Sequence, residues 1–272
     1  SGTMPPERVY VRAEKFYSDK NIDLRLQTRV ETISPAKKEV TTTRGETIAY
    51  DKLMIATGSR PRILNIEGSK LHGIHYLRTI ADVDQIQASM KKAKNVVIVG
   101  GGYIGLEVAS VAVSAGLNVT VLEMEERILQ RVTTPEMSEY YHALHTMKGL
   151  KILTNTTVSG FEGDGDGNVN KVLCGDTAIE ADLVLVGIGI IPNVEIAAEA
   201  GIECENGITV DDHCRTSDPV IYAIGDCSNH PNRLLGRRLR LESVPNAMEQ
   251  ARVATTNMLG GDRIYASIPW FW

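Results

Sequence analysis

The run Asn95–Glu123, NVVIVGGGYIGLEVASVAVSAGLNVTVLE, decides the fold. Val96–Val99 is a short apolar run that reads as a buried strand and ends in Gly100, Gly101 and Gly102. Tyr103, Ile104 and Gly105 then open a helix, with Ile104, Val108, Val111, Ala112 and Ala115 on one face and Gly116 as its stop. A second apolar strand, Val119–Leu122, stops at Glu123. Strand, glycine turn, helix, strand and acid follow one another in under thirty residues.

Each part has a physical task in holding a dinucleotide. Gly100 allows the tight turn, Gly102 lets the backbone approach a pyrophosphate, and Gly105 lets helix and strand pack closely. The first helical turn, from Tyr103 and Ile104 onward, offers N–H groups and a partial positive charge to the phosphates. Glu123 stands 23 positions after Gly100, where a carboxylate accepts bonds from both ribose hydroxyls and repels a 2′-phosphate. The expected cofactor is therefore NADH rather than NADPH. Taken alone, G-x-G-x-x-G is a weak signal; with strand, helix and acid in place it is specific.

The rest of the chain bounds the answer. Its 272 residues suffice for one large domain or two ordinary ones, and 43% are hydrophobic, enough for a sizeable core. A formal net charge of −5 argues against general affinity for nucleic acid. No apolar run reaches the length of a membrane span and no signal peptide is expected, and few, unpatterned cysteines suit a reducing cytoplasm. Cys174, Cys204, Cys214 and Cys227 form no C-x-x-C, so neither a redox dithiol nor a zinc site is expected. The basic run Gly236–Arg240 reads as a solvated loop that can also meet an acidic partner.

Before the central unit, residues 11–20 read as a short helix and Ile22–Leu26 as a strand. Arg29–Ile33, Glu39–Thr43 and Glu46–Tyr50 read as an antiparallel meander, and Leu53–Ala56 as a buried strand. Residues 80–93 read as a helix leading into the glycine turn. Thr134–Met147 reads as another, capped by Thr134 with Pro135 at its first position, and Lys151–Leu153 as a third parallel strand. Thr157–Phe161 and Val169–Leu173 form a hairpin around an Asp/Gly/Asn turn. That turn imitates the start of a calcium loop but has Val169 and Gly175 where glycine and glutamate are needed. Asp182–Val186 is a strand ending in Gly187-Ile188-Gly189, and Asn193–Ala200 is a short helix. Ile208–Val210 and Val220–Ile224 are strands, and the second runs into Gly225-Asp226. A last helix spans Pro245–Leu259 with Ala247, Ala251, Ala254 and Met258 on one face. Residues 82–206 thus read as a nucleotide domain inserted between two pieces of another, 1–81 and 207–272. His72, His75, His142 and His145 have no ligand-bearing partner in the pattern and read as structural or solvated, and no metal site is expected.

Three further motifs carry a resemblance. Ala56-Thr57-Gly58, Gly225-Asp226-Cys227 and Arg240-Leu241-Glu242-Ser243-Val244-Pro245-Asn246-Ala247 resemble the two-dinucleotide-binding flavoprotein reductases. The last of these, with Pro269-Trp270-Phe271-Trp272, is similar to the NADH-dependent ferredoxin reductases of oxygenase systems. The resemblance runs the whole chain. It implies an α/β, two-dinucleotide-binding-domain flavoprotein fold. A Rossmann-like NAD domain is inserted in an incomplete FAD domain, and each carries an antiparallel meander. It implies FAD beside NAD, and a [2Fe–2S] ferredoxin that receives electrons singly and serves a cytochrome P450 or a dioxygenase. It also implies a monomer or weak homodimer acting without nucleic acid or membrane.

By the same resemblance, the Val30 backbone meets the FAD adenine, and Ala56, Thr57 and Gly58 lie along its ADP moiety. Arg78 is a flavin-site arginine, and Asp226 bonds a ribityl hydroxyl. The Val244 backbone faces the flavin pyrimidine edge, and Trp270 or Trp272 shields the ring. Glu107, just inside the nucleotide helix, is an acid near flavin N5, and Gly189 ends the strand beside the glycine turn. The family's own first G-x-G-x-x-G unit with its flavin-site lysine, and its C-terminal domain, are expected outside residues 1–272. Two other readings stay open: an NADH-sensing flavoprotein of the apoptosis-inducing type, and an NADH oxidase or rubredoxin reductase.

Overall fold

A computed structural model describes residues 8–268. In chain order its elements begin with α1 (Glu14–Asp19), β1 (Val30–Ser34), β2 (Glu39–Thr42), β3 (Thr47–Ala49), β4 (Leu53–Ile55) and β5 (Ser59–Pro61). Then come β6 (Ile74–Tyr76), α2 (Ile80–Met90), β7 (Asn95–Val99), α3 (Tyr103–Ser114), β8 (Asn118–Leu122), α4 (Pro135–Met147) and β9 (Lys151–Leu153). β10 (Gly160–Gly163), β11 (Val169–Cys174), β12 (Thr177–Glu180), β13 (Leu183–Val186), β14 (Ile190–Pro192) and α5 (Glu195–Glu199) follow. The chain continues through β15 (Ile208–Thr209), β16 (Ile221–Ala223), β17 (Ser228–Asn232), β18 (Arg237–Leu239) and α6 (Val244–Met258). Contacts divide it into two compact units, residues 8–11 with 61–190, and residues 12–60 with 191–268.

The first unit is built on a five-stranded sheet in the order β6-β13-β7-β8-β9, with every pairing parallel. A parallel sheet needs both faces covered, which is why its strands read as unbroken apolar runs. Alternation along the strands sorts those runs onto two faces. Val96, Ile98, Val119, Val121, Leu183 and Leu185 pack with Leu106, Ala109 and Ala112 of α3. Val97, Val99, Val184 and Val186 turn the other way, onto Phe161, Val169 and Val172 of the antiparallel meander β10-β11-β12. Helix α2 starts from a complete capping box, in which Thr79 and Asp82 each satisfy the other's backbone N–H.

The second unit has its own meander, β1-β2-β3, and a parallel pair, β4 with β16. Ile221 and Ala223 face Ile33, Val40 and Ile208, while Tyr222 and Ile224 face Val253 and Ala254 of α6.

Several local expectations change. Ile22–Leu26 alternates like a strand but forms none: it finds no edge to pair with, and Ile22, Leu24 and Leu26 are exposed. The basic run 236–240 is not a loop throughout, since Arg237–Leu239 pairs antiparallel with β17 as β18. Strands β5, β6, β12, β14 and β17 are additions. The inward face of α3 is also turned from the expected one: Gly105, Leu106, Ala109 and Ala112 are buried, while Ile104 and Val111 are exposed. The helix is apolar nearly all round, so periodicity alone does not choose its phase.

Candidate functional site

In the first unit the site gathers at the carboxyl ends of β7, β8 and β13. Gly100 leaves β7 with φ +110°, and its N–H donates to the Leu122 carbonyl at 2.8 Å. A Cβ there would stand 2.4 Å from the Gly187 carbonyl oxygen, so the turn passes flush against the end of β13. Gly105 lies under the turn, where a Cβ would meet the Gly100 carbonyl oxygen at 2.1 Å. Gly102, the N-cap of α3, differs: no atom lies within 4 Å of its Cβ position. Space is therefore kept in front of a helix N-terminus, where N–H groups and dipole favour an anion.

Glu123 closes one side of that space. It is half-buried, and its carboxylate accepts the Gly101 N–H at 2.7 Å and the Glu125 N–H at 3.0 Å. A carboxylate offers about four acceptor positions, so capacity remains for hydroxyl donors. The loop after β8 is fastened to the same turn: Leu129 donates its N–H to the Gly101 carbonyl at 2.9 Å, from a left-handed backbone at φ +56°. That loop delivers Arg131, whose guanidinium comes within 3.8 Å of the Cβ position of Gly189. Gly189 itself has φ +101° and accepts the Arg62 N–H at 2.9 Å. Sequence reasoning missed Arg131. Its signal was a cation in the loop after Glu123.

In the second unit the parallel strands β4 and β16 end side by side, Ile55 opposite Ala223. The turns Ala56-Thr57-Gly58 and Gly225-Asp226 leave those ends together. Adjacent parallel strand ends are where α/β sheets bind ligands. Asn193 clamps the first turn: the Thr57 hydroxyl donates to its carbonyl at 2.6 Å, and its side-chain amide donates to the Thr57 carbonyl at 2.9 Å. The buried Ser59 hydroxyl donates to the Asp226 carboxylate at 2.8 Å, fixing its orientation. Neither Asn193 nor Ser59 was anticipated; both need the fold to be seen beside their partners. Val244 is exposed at the first position of α6, whose N-cap Ser243 accepts the Asn246 N–H at 3.3 Å.

The remaining predicted residues divide by unit. Val30 begins β1 in the second unit and is 37% exposed. Arg78 and Glu107 belong to the first. The Arg78 N–H donates to Asp82 at 2.9 Å, at the mouth of α2. Glu107 is exposed on the second turn of α3, on the same outward side as Ile104. Trp270 and Trp272 lie outside the described residues. Away from both strand-end sites, Asp211, Asp212 and His213 come within 4.8 Å of one another, but protein partners engage them. Asp212 bonds Arg233 and His213, and Asp211 pairs with Arg215.

Comparison with known proteins agrees with this geometry. Residues 4–251 match the pattern of the pyridine nucleotide-disulphide oxidoreductases. The chain is 42% identical over 277 residues to putidaredoxin reductase CamA of Pseudomonas putida, covering 100% of this chain and 66% of that protein. It is 41% identical to a rubredoxin-NAD(+) reductase of Pseudomonas putida, covering 96% of this chain and 68% of that one. Its fold superposes with a TM-score of 0.96 on the crystal structure of the ferredoxin reductase for the CYP199A2 system from Rhodopseudomonas palustris. Identity there is 38%, and coverage is 100% of this chain and 67% of that one. The chain spans about two thirds of the length of these relatives.

Proposed function

The chain belongs to the pyridine nucleotide-disulphide oxidoreductase family, and from that premise we propose that it is the cofactor-binding portion of an NADH-dependent ferredoxin reductase. Its NAD-binding domain, expected over residues 82–206, corresponds to the compact unit of residues 61–190, and its FAD-binding segments are residues 12–60 and those from 191 onward. Bound FAD would supply the hydride acceptor for NADH and the single-electron donor for a [2Fe–2S] ferredoxin that serves a cytochrome P450 or dioxygenase.

The protein's part is to hold and orient. The open backbone at Gly102 and the first turn of α3 receive the NADH pyrophosphate, and Arg131 adds a positive charge beside Gly189. Glu123 accepts the ribose hydroxyls and disfavours a 2′-phosphate. Thr57 and Gly58 lie along the FAD ADP moiety, with Val30 at its adenine. Ser59 holds the Asp226 carboxylate for a ribityl hydroxyl, and the backbone at Val244 faces the flavin ring. Arg78, and Trp270 or Trp272, complete the flavin surroundings, and Glu107 stands near N5. The portion works in the cytoplasm as a monomer or weak homodimer.

The observation that carries this reading is the pair of strand-end sites, one with Gly102 open before a helix N-terminus and one with Asp226 fixed by Ser59. The test is an absorbance spectrum of the protein with FAD, followed by NADH titration and an assay with ferredoxin and rubredoxin acceptors. Flavin absorbance that bleaches with NADH and is restored by ferredoxin supports the proposal. Restoration by rubredoxin alone favours the acceptor named for the 41% identical relative. Absence of FAD binding refutes the flavoprotein reading.

A further inference from the structure

Helix α6 buries a polar stripe beside the alanine face its sequence advertises. Asn246, Gln250 and Asn257 face inward with Val253 and Ala254. Gln250 is fully buried, and a single atom of it gathers three donors. Its Oε1 accepts the Gly225 N–H at 2.7 Å, the Ser228 hydroxyl at 2.9 Å and the Asn246 side-chain amide at 3.4 Å. The Ser228 hydroxyl also lies 3.0 Å from the Gly225 carbonyl. Asn246 carries the network on: it donates to the Leu241 carbonyl at 3.1 Å and accepts the Tyr265 hydroxyl at 2.8 Å.

The other end of Gln250 is unsatisfied, since its Nε2 has no hydrogen-bond partner. A buried amide with unmet donors is a costly way to fill a core. What the position needs is the acceptor. Without it the Gly225 N–H would be stranded, because that residue leaves β16 at φ +72° with its peptide facing α6 rather than a strand.

The two stretches that Gln250 joins are the Gly225–Asp226 turn and the first turn of α6, which begins at Val244. We infer that Gln250 is a positioning residue of the flavin site, holding the Asp226 carboxylate and the Val244 backbone in one fixed register. The inference rests on the reading that FAD occupies the ends of β4 and β16. Gln250 does not touch the ligand; it acts through the Gly225 peptide on one side and Asn246 on the other.

The test uses Gln250→Met, which keeps volume but removes the acceptor, and Gln250→Glu, which keeps it. Native-state hydrogen exchange at the Gly225 amide is read without ligand, and FAD and NADH affinities are read by titration. In Gln250→Met, exchange at Gly225 should quicken roughly tenfold and FAD should dissociate roughly tenfold more readily, with NADH affinity unchanged. Gln250→Glu should restore protection of the Gly225 amide. Wild-type exchange and FAD affinity in Gln250→Met would overturn the inference. So would equal losses of FAD and NADH affinity with a lowered Tm, the result of a merely structural role. Should Gln250→Met not fold, a folded Gln250→Glu protein that loses Gly225 protection overturns it instead. Failure of the wild-type protein to bind FAD would sink the reductase reading, whereas FAD binding indifferent to position 250 would sink only the role of Gln250.

Discussion

The Glu123 carboxylate accepts the Gly101 N–H at 2.7 Å, so the acid that ends β8 is tied to the glycine turn that ends β7. The bond holds the proposed ribose acceptor at a fixed distance from the pyrophosphate cradle before any nucleotide arrives. Pre-organisation of this kind reduces the ordering cost of binding. Glu123→Gln keeps the shape but surrenders the charge and one acceptor oxygen. A hydrogen bond to a charged group is worth about 1.5–3 kcal/mol, so NADH affinity should fall roughly ten- to hundredfold. NADPH affinity should fall less, narrowing the preference. Fluorescence titration with both nucleotides reads the ratio, and an unchanged ratio would remove Glu123 from the ribose site.

Gly102 and Gly105 should fail in opposite ways. Nothing lies within 4 Å of a Cβ at Gly102, and its backbone is ordinary at φ −82°, so Gly102→Val should fold with its Tm little changed. It should nonetheless lose saturable NADH binding, because the side chain fills the cradle. At Gly105 a Cβ would press on the Gly100 carbonyl at 2.1 Å, and only separation of α3 from β7 relieves it. Gly105→Ala should therefore destabilise by about 3 kcal/mol or more, at the upper end of overpacking costs. Thermal melts beside NADH titrations separate the two. Equal Tm losses would mean that the space at Gly102 is not kept for a ligand.

How far these features were legible depends on whether their cause was local. The βαβ unit was, because apolar runs, glycine turn and terminal acid are all written in contiguous residues. The phase of α3 was not: a helix apolar all round buries Ala109 or Val111 equally well by periodicity, and the sheet decided. On α6 the pattern was right but incomplete. Ala254 is fully buried and Ala251 and Met258 pack beside it, yet Asn246, Gln250 and Asn257 lie inside as well. Their burial is favourable only because Gly225, Ser228, Leu241 and Tyr265 meet Asn246 and Gln250, and His213 and Arg263 meet Asn257, all from outside the helix. Ile22–Leu26 failed for the mirror reason, since alternation without an edge to pair with does not make a strand. Arg131, Ser59 and Asn193 gain their roles from turns 58, 167 and 136 positions away in sequence, distances no local pattern spans.

The bond between Ser59 and Asp226 makes a graded prediction. Ser59 is 5% exposed and donates to one carboxylate oxygen at 2.8 Å. Ser59→Ala leaves Asp226 in place but less constrained, and FAD retention should fall several-fold, in line with about 1 kcal/mol for the lost bond. Asp226→Asn removes the charge and one acceptor, and should cost roughly ten- to hundredfold in FAD affinity. The flavin-to-protein ratio after gel filtration ranks them. Retention in Asp226→Asn equal to wild type would place the ribityl contact elsewhere.

Stability should fall as pH drops below about 6.5, and one buried and two half-buried histidines supply the reason. Burial lowers the pKa of His75, His145 and His230 beneath 6.5, and Arg238 adds to the effect at His230. Above 6.5 these rings are neutral in both states and their contribution is fully present. As pH falls, the unfolded chain takes up protons first, so stability declines until the folded pKa values are passed. The capping carboxylate Asp82 acts in a separate window: the Thr79 N–H holds its pKa below 3.8, so its contribution is lost only in stronger acid. His230 is wholly buried, with its edge-on ring 4.8 Å from Tyr265 and its Nε2 unpartnered, so it has the least means of accommodating a charge. Urea unfolding at about pH 7.5 and about pH 5.5 should give a clearly lower midpoint at the acid value, and His230→Gln should shrink that difference. A midpoint that does not move between the two would mean that these rings are hydrated or partnered when charged, and that burial does not hold them neutral.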